Sequence, residues 1–231
     1  MKLSIIIPTL NEELCIGRLL DYLIEETSKQ NAEIIVCDGG STDQTKKIVL
    51  SKIGVKFIHA EKKGRAHQLN EGASNASGTI FYFVHADTIP PKNFAILILD
   101  CIQKGIPSGC FRYTFDPPKN MLRINAWFTK FKGFYAGGGD QTLFVNRSVF
   151  HELGGYNSSY VIMEDFDLVK RIRKKYRYII LKDPALVSSR KYEQNSYLKV
   201  QWANIIAIAQ FKLGVNPIKI KEGYKKRIKT A

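Results

Sequence analysis

Residues 34–43 read IIVCDGGSTD: an unbroken apolar run, then an aspartate, two glycines and three side chains that carry oxygen. A run apolar on both faces is what a strand buried inside a parallel sheet requires. The glycines permit a tight turn, and Ser41, Thr42 and Asp43 can cap a following helix. Neither job needs Asp38. It falls at the carboxyl end of the strand, the edge where open α/β sheets bind ligands, and a carboxylate there can accept a hydrogen bond from a base N–H.

The same grammar repeats on either side. Residues 3–7, 55–59 and 79–84 join 33–37 as strands rich in Val, Ile and Phe, and 14–26, 42–51 and 64–76 lie between them as helices. In the first helix Leu19, Leu20, Leu23 and Ile24 fall at helical spacing, with Glu13, Asp21, Glu25 and Glu26 turned away. Strand and helix alternating in this way predict an α/β fold with a parallel, doubly wound sheet. Four loops, 8–12, 38–43, 60–65 and 85–91, then share one edge, and all are polar or charged. After Pro90-Pro91 the reading continues with a helix over 93–104, a strand over 109–115 and an amphipathic helix over 120–132. A glycine cluster at 137–139 and a strand over 141–146 follow.

Length and composition suit a folded soluble protein: 231 residues, 45% hydrophobic, with 17 Gly and 8 Pro. The opening MKLSIIIPTLNEE reads as a first strand rather than a signal peptide, and no stretch reaches the roughly 20 apolar residues of a membrane-spanning helix. Cys15, Cys37, Cys101 and Cys110 form no CxxC pair, so buried, reduced thiols in a cytoplasmic protein are expected. A formal charge of +14 first suggests nucleic acid. Its location argues otherwise: residues 1–169 hold 18 basic and 18 acidic residues, whereas 170–231 hold 17 basic and 3 acidic. A neutral body with a cationic end makes a nucleic-acid partner the weaker reading.

Two further constellations carry chemistry. Residues 80–90, IFYFVHADTIP, end an aromatic strand in His85-Ala86-Asp87. Asp87 either opens the turn before the two prolines or serves as a carboxylate for a hard cation, with His85 as a second-sphere or nitrogen ligand. Residues 160–173, YVIMEDFDLVKRIR, set Glu164, Asp165 and Asp167 at a helix start. Acidic residues favour helix N-termini, but three in four positions exceed what the dipole needs, and one can serve as a general base.

Taken in order, Pro8-Thr9-Leu10-Asn11-Glu12, residues 34–43, Gly64-Arg65 with Asn70, His85-Ala86-Asp87 and Glu164-Asp165 resemble the inverting glycosyltransferases of family 2, which have the GT-A fold. The forms GRAHQLNEGA, FVHADT, GGGDQTLFV and MEDFDL are similar to those of a small bacterial subgroup named together with radical-SAM proteins. The resemblance implies a GT-A catalytic domain over 1–190, with a C-terminal helix and basic tail over 191–231. It implies that Pro8, Thr9 and Glu12 line the nucleotide pocket, Asp38 binds the base and Arg65 approaches the diphosphate. Asp87 would be the metal ligand of the Asp-x-Asp motif, here with His85 in place of the first Asp, and Mn²⁺ or Mg²⁺ the cofactor. Gly39 likewise replaces the second Asp of the common Asp-Asp pair. Asp165, beside Glu164, would be the catalytic base acting on a hydroxyl or phosphate acceptor, and Arg190 would help hold the diphosphate of a UDP- or GDP-linked sugar. Gly138 and Gly139 either bring the backbone close to donor or acceptor or form a connector, with Asp140 and Gln141 placed to bond sugar hydroxyls.

Residues 196–213 read as a helix with two apolar stripes: Leu198, Trp202, Ile205, Ala209 and Leu213 on one, Tyr197, Val200, Ile208 and Phe211 on another. One core-facing stripe is enough for a surface helix, so the second must meet the body, a second copy in a homodimer or an anionic membrane surface at the inner face of the cell membrane. Basic residues attract such a surface by roughly 1 kcal/mol each. The alternative from another class is a noncatalytic RNA-binding or scaffold protein working through its basic quarter.

Overall fold

The computed structural model describes residues 1–116 and 142–228. The helix expected over 120–132 and the cluster containing Gly138, Gly139, Asp140 and Gln141 lie outside them. The described strands are β1 (Leu3–Thr9), β2 (Ala32–Asp38), β3 (Val55–His59), β4 (Ile80–Phe83), β5 (Thr88–Ile89), β6 (Ser108–Asp116), β7 (Leu143–Asn146) and β8 (Tyr178–Ser188). They form one sheet in the order β3-β2-β1-β4-β7-β6-β8-β5. The first four are mutually parallel; β7 runs antiparallel to β4 and β6, and β8 runs parallel to β6 and antiparallel to β5.

Helices α1 (Ile16–Thr27), α2 (Thr45–Leu50), α3 (Arg65–Ser74), α4 (Phe94–Gln103), α5 (Arg147–Glu152) and α6 (Glu164–Lys175) cover the sheet. Side chains that alternate along β1 feed two cores. Ile5 and Ile7 pack with Leu19, Leu23, Phe94 and Ile98 on one face, and Ile6 packs with Leu69, Ala73, Phe150, Leu168 and Ile172 on the other. Each buried Leu, Ile or Phe among them contributes roughly 1.5–3 kcal/mol. Helix α3 approaches β1 so closely that a Cβ on Gly72 would sit 2.5 Å from Ile6 Cγ2, and this contact fixes where Arg65, at the start of α3, can reach.

Strand β8 departs from the sequence reading, which gave no strand there. Its register with β6 shifts between Phe111 and Arg112, so that Leu181 and Pro184 are successive partners and Lys182 and Asp183 form a bulge. The bulge is what admits a proline and two charges into a strand. The C-terminal segment is α7 (Tyr197–Lys212) followed by α8 (Pro217–Arg227), so the expected basic tail is helical through Arg227. Both helices pack on the body: Ala207, Ile208 and Ile220 meet Met163, with Tyr160, Ile162 and Phe166 against them.

The far end of the sheet supplies a pH-dependent clamp. Glu33 accepts hydrogen bonds from Ser4 Oγ (2.6 Å), Ser77 N (2.7 Å) and Gly78 N (3.1 Å), and lies 3.2 Å from Lys2 Nζ. Burial alone would raise its pKa, but the bonds from Ser4, Ser77 and Lys2 prevail and pull it down to about 2. A depressed carboxyl stabilises the fold above its unfolded pKa of about 4.5, and that contribution fades as pH falls towards 2. Glu33→Gln is therefore expected to lower stability at pH 7 by about 1 kcal/mol, after discounting for partial exposure. In urea titrations its deficit should shrink between pH 4.5 and 2; a gap constant across that range would deny the clamp.

Candidate active site

The predicted strand-end loops do meet at one edge. The chain leaves β1 towards β2 and β3, then crosses back to place β4 on the other side of β1, so the order reverses between β1 and β4, where such sheets open a ligand crevice. The loop after β1 carries Glu12 and the loop after β4 carries His85 and Asp87.

Asp38 stands at the end of β2, buried, and its four acceptor positions are taken from within the chain. Oδ1 accepts from Thr9 Oγ1 (3.0 Å) and Ser41 Oγ, and Oδ2 accepts from Gly40 N (3.0 Å) and Ser41 N (2.8 Å). Pro8 and Thr9 lie in β1, both buried, and Thr9 braces Asp38. Gln68 donates to the Thr9 and Cys37 carbonyls at 2.7 and 2.9 Å, and a Cβ on Gly39 would stand 3.0 Å from its amide. That amide occupies the space beside the residue that replaces the second Asp of the pair.

Ser41, Thr42 and Asp43 do less helix capping than the sequence suggested. Asp43 Oδ1 accepts from Thr45 N at 2.9 Å, and helix α2 starts at Thr45 rather than 42. The rest of their bonding knits the first two loops together. Asn11 N donates to Ser41 Oγ (2.9 Å), Thr42 N to Asn11 Oδ1 (2.8 Å) and Glu13 N to Asp43 Oδ2 (3.1 Å). Asn11 adopts φ 56°, a left-handed conformation that asparagine tolerates better than most residues.

Arg190 reaches this edge from 178 residues away in sequence. Its Nη1 and Nη2 each lie 2.8 Å from a Glu12 oxygen, and Nη2 lies 3.3 Å from Asp87 Oδ2. The hydrogen bonds to Glu12, against the cost of burial and aided by Asp87, raise the Arg190 pKa further above its already high value. Asp87 is held in reach of it because its carbonyl accepts from Ser188 N at 3.1 Å, where β5 pairs with β8. Two carboxylates thus face one guanidinium.

A second cluster of the same composition surrounds the start of α6. Arg65 Nε donates to Glu164 Oε1, and its Nη2 lies 3.3 Å from Asp165 Oδ2. Burial alone would lower the Arg65 pKa, but the two carboxylates more than offset it and hold it raised. The structure thus sets Arg65, expected to approach the diphosphate, against the two carboxylates at the start of α6. Tyr156, fully buried, faces the same pair, and burial followed by the Asp165 and Glu164 charges pushes its hydroxyl well above its usual pKa. Asn70 fixes Tyr156 by bonding its N–H and carbonyl at 2.9 and 2.8 Å. Sequence reading missed Tyr156; the positive-φ glycines before it, Gly154 and Gly155, were the available signal.

Asp167 faces elsewhere, pairing with Arg171 at 2.6 Å, while Arg171 also holds the Leu153 and Gly155 carbonyls. Met163, at φ 69°, opens α6 in a conformation rare for its type and is held there by the C-terminal helices. Glu164 Oε2 is buried without a hydrogen-bond partner among the described residues. Asp165 is the more accessible of the pair, 8% exposed against 1% for Glu164.

No group of three or more His, Cys, Asp or Glu residues is arranged to enclose a metal among the described residues. The donor set still fits a cation that is shared with a bound diphosphate. Such an ion takes one or two protein carboxylates and completes its shell with phosphate and water, and the Asp87 side chain remains 24% exposed at the crevice.

Comparison with known proteins bears on the family and the fold. A glycosyltransferase GlyG from Streptococcus pneumoniae is 26% identical over 182 residues, 73% of this chain and 56% of that protein. A dolichyl N-acetyl-alpha-D-glucosaminyl phosphate 3-beta-D-2,3-diacetamido-2,3-dideoxy-beta-D-glucuronosyltransferase from Methanococcus voltae is 36% identical over 99 residues, 40% of this chain and 31% of that protein. The chain thus spans about half or less of the length of these relatives. Among solved structures, S. aureus TarS 1-349 in complex with UDP superposes with a TM-score of 0.68 at 18% identity, covering 96% of this chain and 68% of that one. The mannosyltransferase PcManGT from Pyrobaculum calidifontis, in complex with GDP-Man and Mn²⁺, gives 0.69 at 18% identity, covering 91% and 63%. The fold is GT-A. The family model described as Glycosyl transferase family 2 matches residues 4–160, the span that holds the crevice loops from Pro8 to Asp87, and the chain belongs to that family.

Proposed function

We propose that this chain is an inverting glycosyltransferase that moves a sugar from a UDP- or GDP-linked donor to an acceptor hydroxyl or phosphate. The observation that supports it most is the pairing of two carboxylate–guanidinium clusters at the sheet edge, Glu12–Arg190–Asp87 and Glu164–Arg65–Asp165. The first suits a departing diphosphate and the second an incoming nucleophile.

In this reading the acceptor oxygen attacks the anomeric carbon while the bond from that carbon to the donor phosphate breaks. The diphosphate leaves with the bonding electrons. Asp165 takes the proton of a hydroxyl acceptor; a phosphate oxygen needs no base. Arg65, 3.3 Å from Asp165 Oδ2, orients the base. Arg190, swinging from Asp87, offers its guanidinium to the diphosphate. Asp87, with His85 beside it, would hold a Mn²⁺ or Mg²⁺, which when bound supplies positive charge against the leaving group. Asp38 holds the nucleotide loop in shape, and contact with a base requires the Ser41 hydroxyl to turn away. The alternative RNA-binding or scaffold role draws on nothing at this edge.

The four cysteines are free and suit a reducing, cytoplasmic place of work, where burial pushes the Cys37 thiol up to about 12. The test is calorimetric. With Mn²⁺ present the chain should bind UDP or GDP, and Asp87→Ala should weaken that binding by at least about tenfold. No binding of either nucleotide, or binding indifferent to Asp87→Ala, would sink the reading.

A further inference from the structure

The C-terminal helix α7 has two apolar faces, and the structure accounts for one of them. Val200, Ala203, Ala207 and Ile208 are buried inward, against Met163, Ile220 and Ile228 and their neighbours. On the opposite side Leu198, Trp202, Ile205 and Leu213 are 71%, 64%, 40% and 81% exposed, with Ala209 exposed between them. At 3.6 residues per turn these five fall within an arc of about 80°. Lys212 borders the arc on one side and Lys199 on the other, both exposed. Helix α8 adds exposed Ile218, Lys219, Lys225 and Lys226.

We infer that α7 docks in the plane of an anionic lipid surface, with Leu198, Trp202, Ile205 and Leu213 entering the acyl boundary and the lysines meeting the headgroups. An apolar ridge containing a tryptophan and bordered by lysines matches the chemistry of that interface, where aromatic rings and snorkelling lysines are both favoured. With 16 residues the helix is too short to span a bilayer, and no described helix is long and apolar enough to cross one. A second copy is the poorer occupant. Residues 170–231 carry 17 basic and 3 acidic residues, so a symmetric contact through this ridge sets lysine against lysine, whereas acidic lipid neutralises them. The inward face of α7 holds Met163, one residue before Glu164, so docking ties the lipid surface to the helix that carries the candidate base.

The docking does not depend on the transferase reading, because nucleotide binding is measured without lipid. The test uses the full chain with vesicles of phosphatidylcholine alone or mixed with phosphatidylglycerol, at low ionic strength. The chain has two tryptophans, so Trp127→Phe leaves Trp202 as the reporter. Cosedimentation with the acidic vesicles only, a blue shift of Trp202 emission and its quenching by acyl-brominated lipid are expected, all weakened by salt. Leu198→Glu and Leu213→Glu should each reduce vesicle affinity by at least about tenfold, the scale of one buried leucine, while nucleotide binding and the urea midpoint stay put. Absence of vesicle binding overturns the inference. So does binding that survives both substitutions without a Trp202 shift, which leaves only tail electrostatics, and so does a dimer in light scattering that the same substitutions disperse.

Discussion

Asp165→Asn is expected to cut sugar transfer by at least about 10²-fold while leaving nucleoside diphosphate affinity within a few-fold of the parent. The substitution is nearly isosteric, and Arg65 keeps its bond to Glu164 Oε1, so α6 should stay in place. What disappears is a group able to take a proton. An interaction needed only in the transition state lowers kcat and kcat/KM together and spares the donor KM, and that is the pattern to look for. Glu164→Gln is the informative companion. Glu164 is the more deeply buried of the pair, so its loss should act mainly through the position of Arg65 and Asp165. Turnover unchanged by Asp165→Asn would move the base to Glu164 or point to an acceptor phosphate that needs none.

The parts of this fold that could be read from sequence are those dictated locally. Strands β1, β2 and β4 are mostly buried apolar runs with turn residues at their ends, the pattern of a parallel sheet covered on both faces, and β3, VKFIH, is its half-exposed edge. The expected edge loops followed from that topology, and the acidic helix start at Glu164 from its local cluster of carboxylates. What escaped reading depends on distant partners. Strand β8 contains Lys182, Asp183 and Pro184, which deny a strand until the bulge opposite Phe111 and Arg112 removes two of them from the ladder. Helix α8 looks like a basic tail because lysines dominate it, although Asn216, whose side chain accepts from Ile218 N, and Pro217 at its first turn are start signals. The oxygens of residues 41–43 are expected to cap α2, but a neighbouring loop takes Ser41 Oγ and Asp43 Oδ2 and leaves only Asp43 Oδ1 on Thr45 N. Arg190 could be singled out only by resemblance; nothing in local spacing brings a residue from the end of the chain onto Glu12 and Asp87. The two stripes of α7 were legible as stripes. Which one turned inward was decided by Met163 and Ile220.

Arg65→Met should produce the largest loss of stability of any single change in the crevice. Methionine retains most of the apolar stem and removes the guanidinium, which isolates the effect of charge. Glu164, 2% exposed at its side chain, then loses its hydrogen-bonded partner, and Asp165 loses an ion pair at 3.3 Å. Breaking a buried pair by removing one member costs about 3–5 kcal/mol, because the charge left behind is stranded away from water. Arg65 keeps 39% of its side-chain surface exposed, so water can reach the site and the lower end, about 3 kcal/mol, is expected. For a chain of this size that corresponds to a fall of roughly 6–12 °C in Tm. A double variant separates the stranded charge from simple loss of packing. Adding Glu164→Gln to Arg65→Met removes the more deeply buried carboxylate and should recover part of the lost stability, without restoring transfer. If the double variant is less stable than Arg65→Met alone, packing rather than uncompensated charge holds this corner together, and Arg65 is not the counter-ion that keeps two carboxylates side by side at the start of α6.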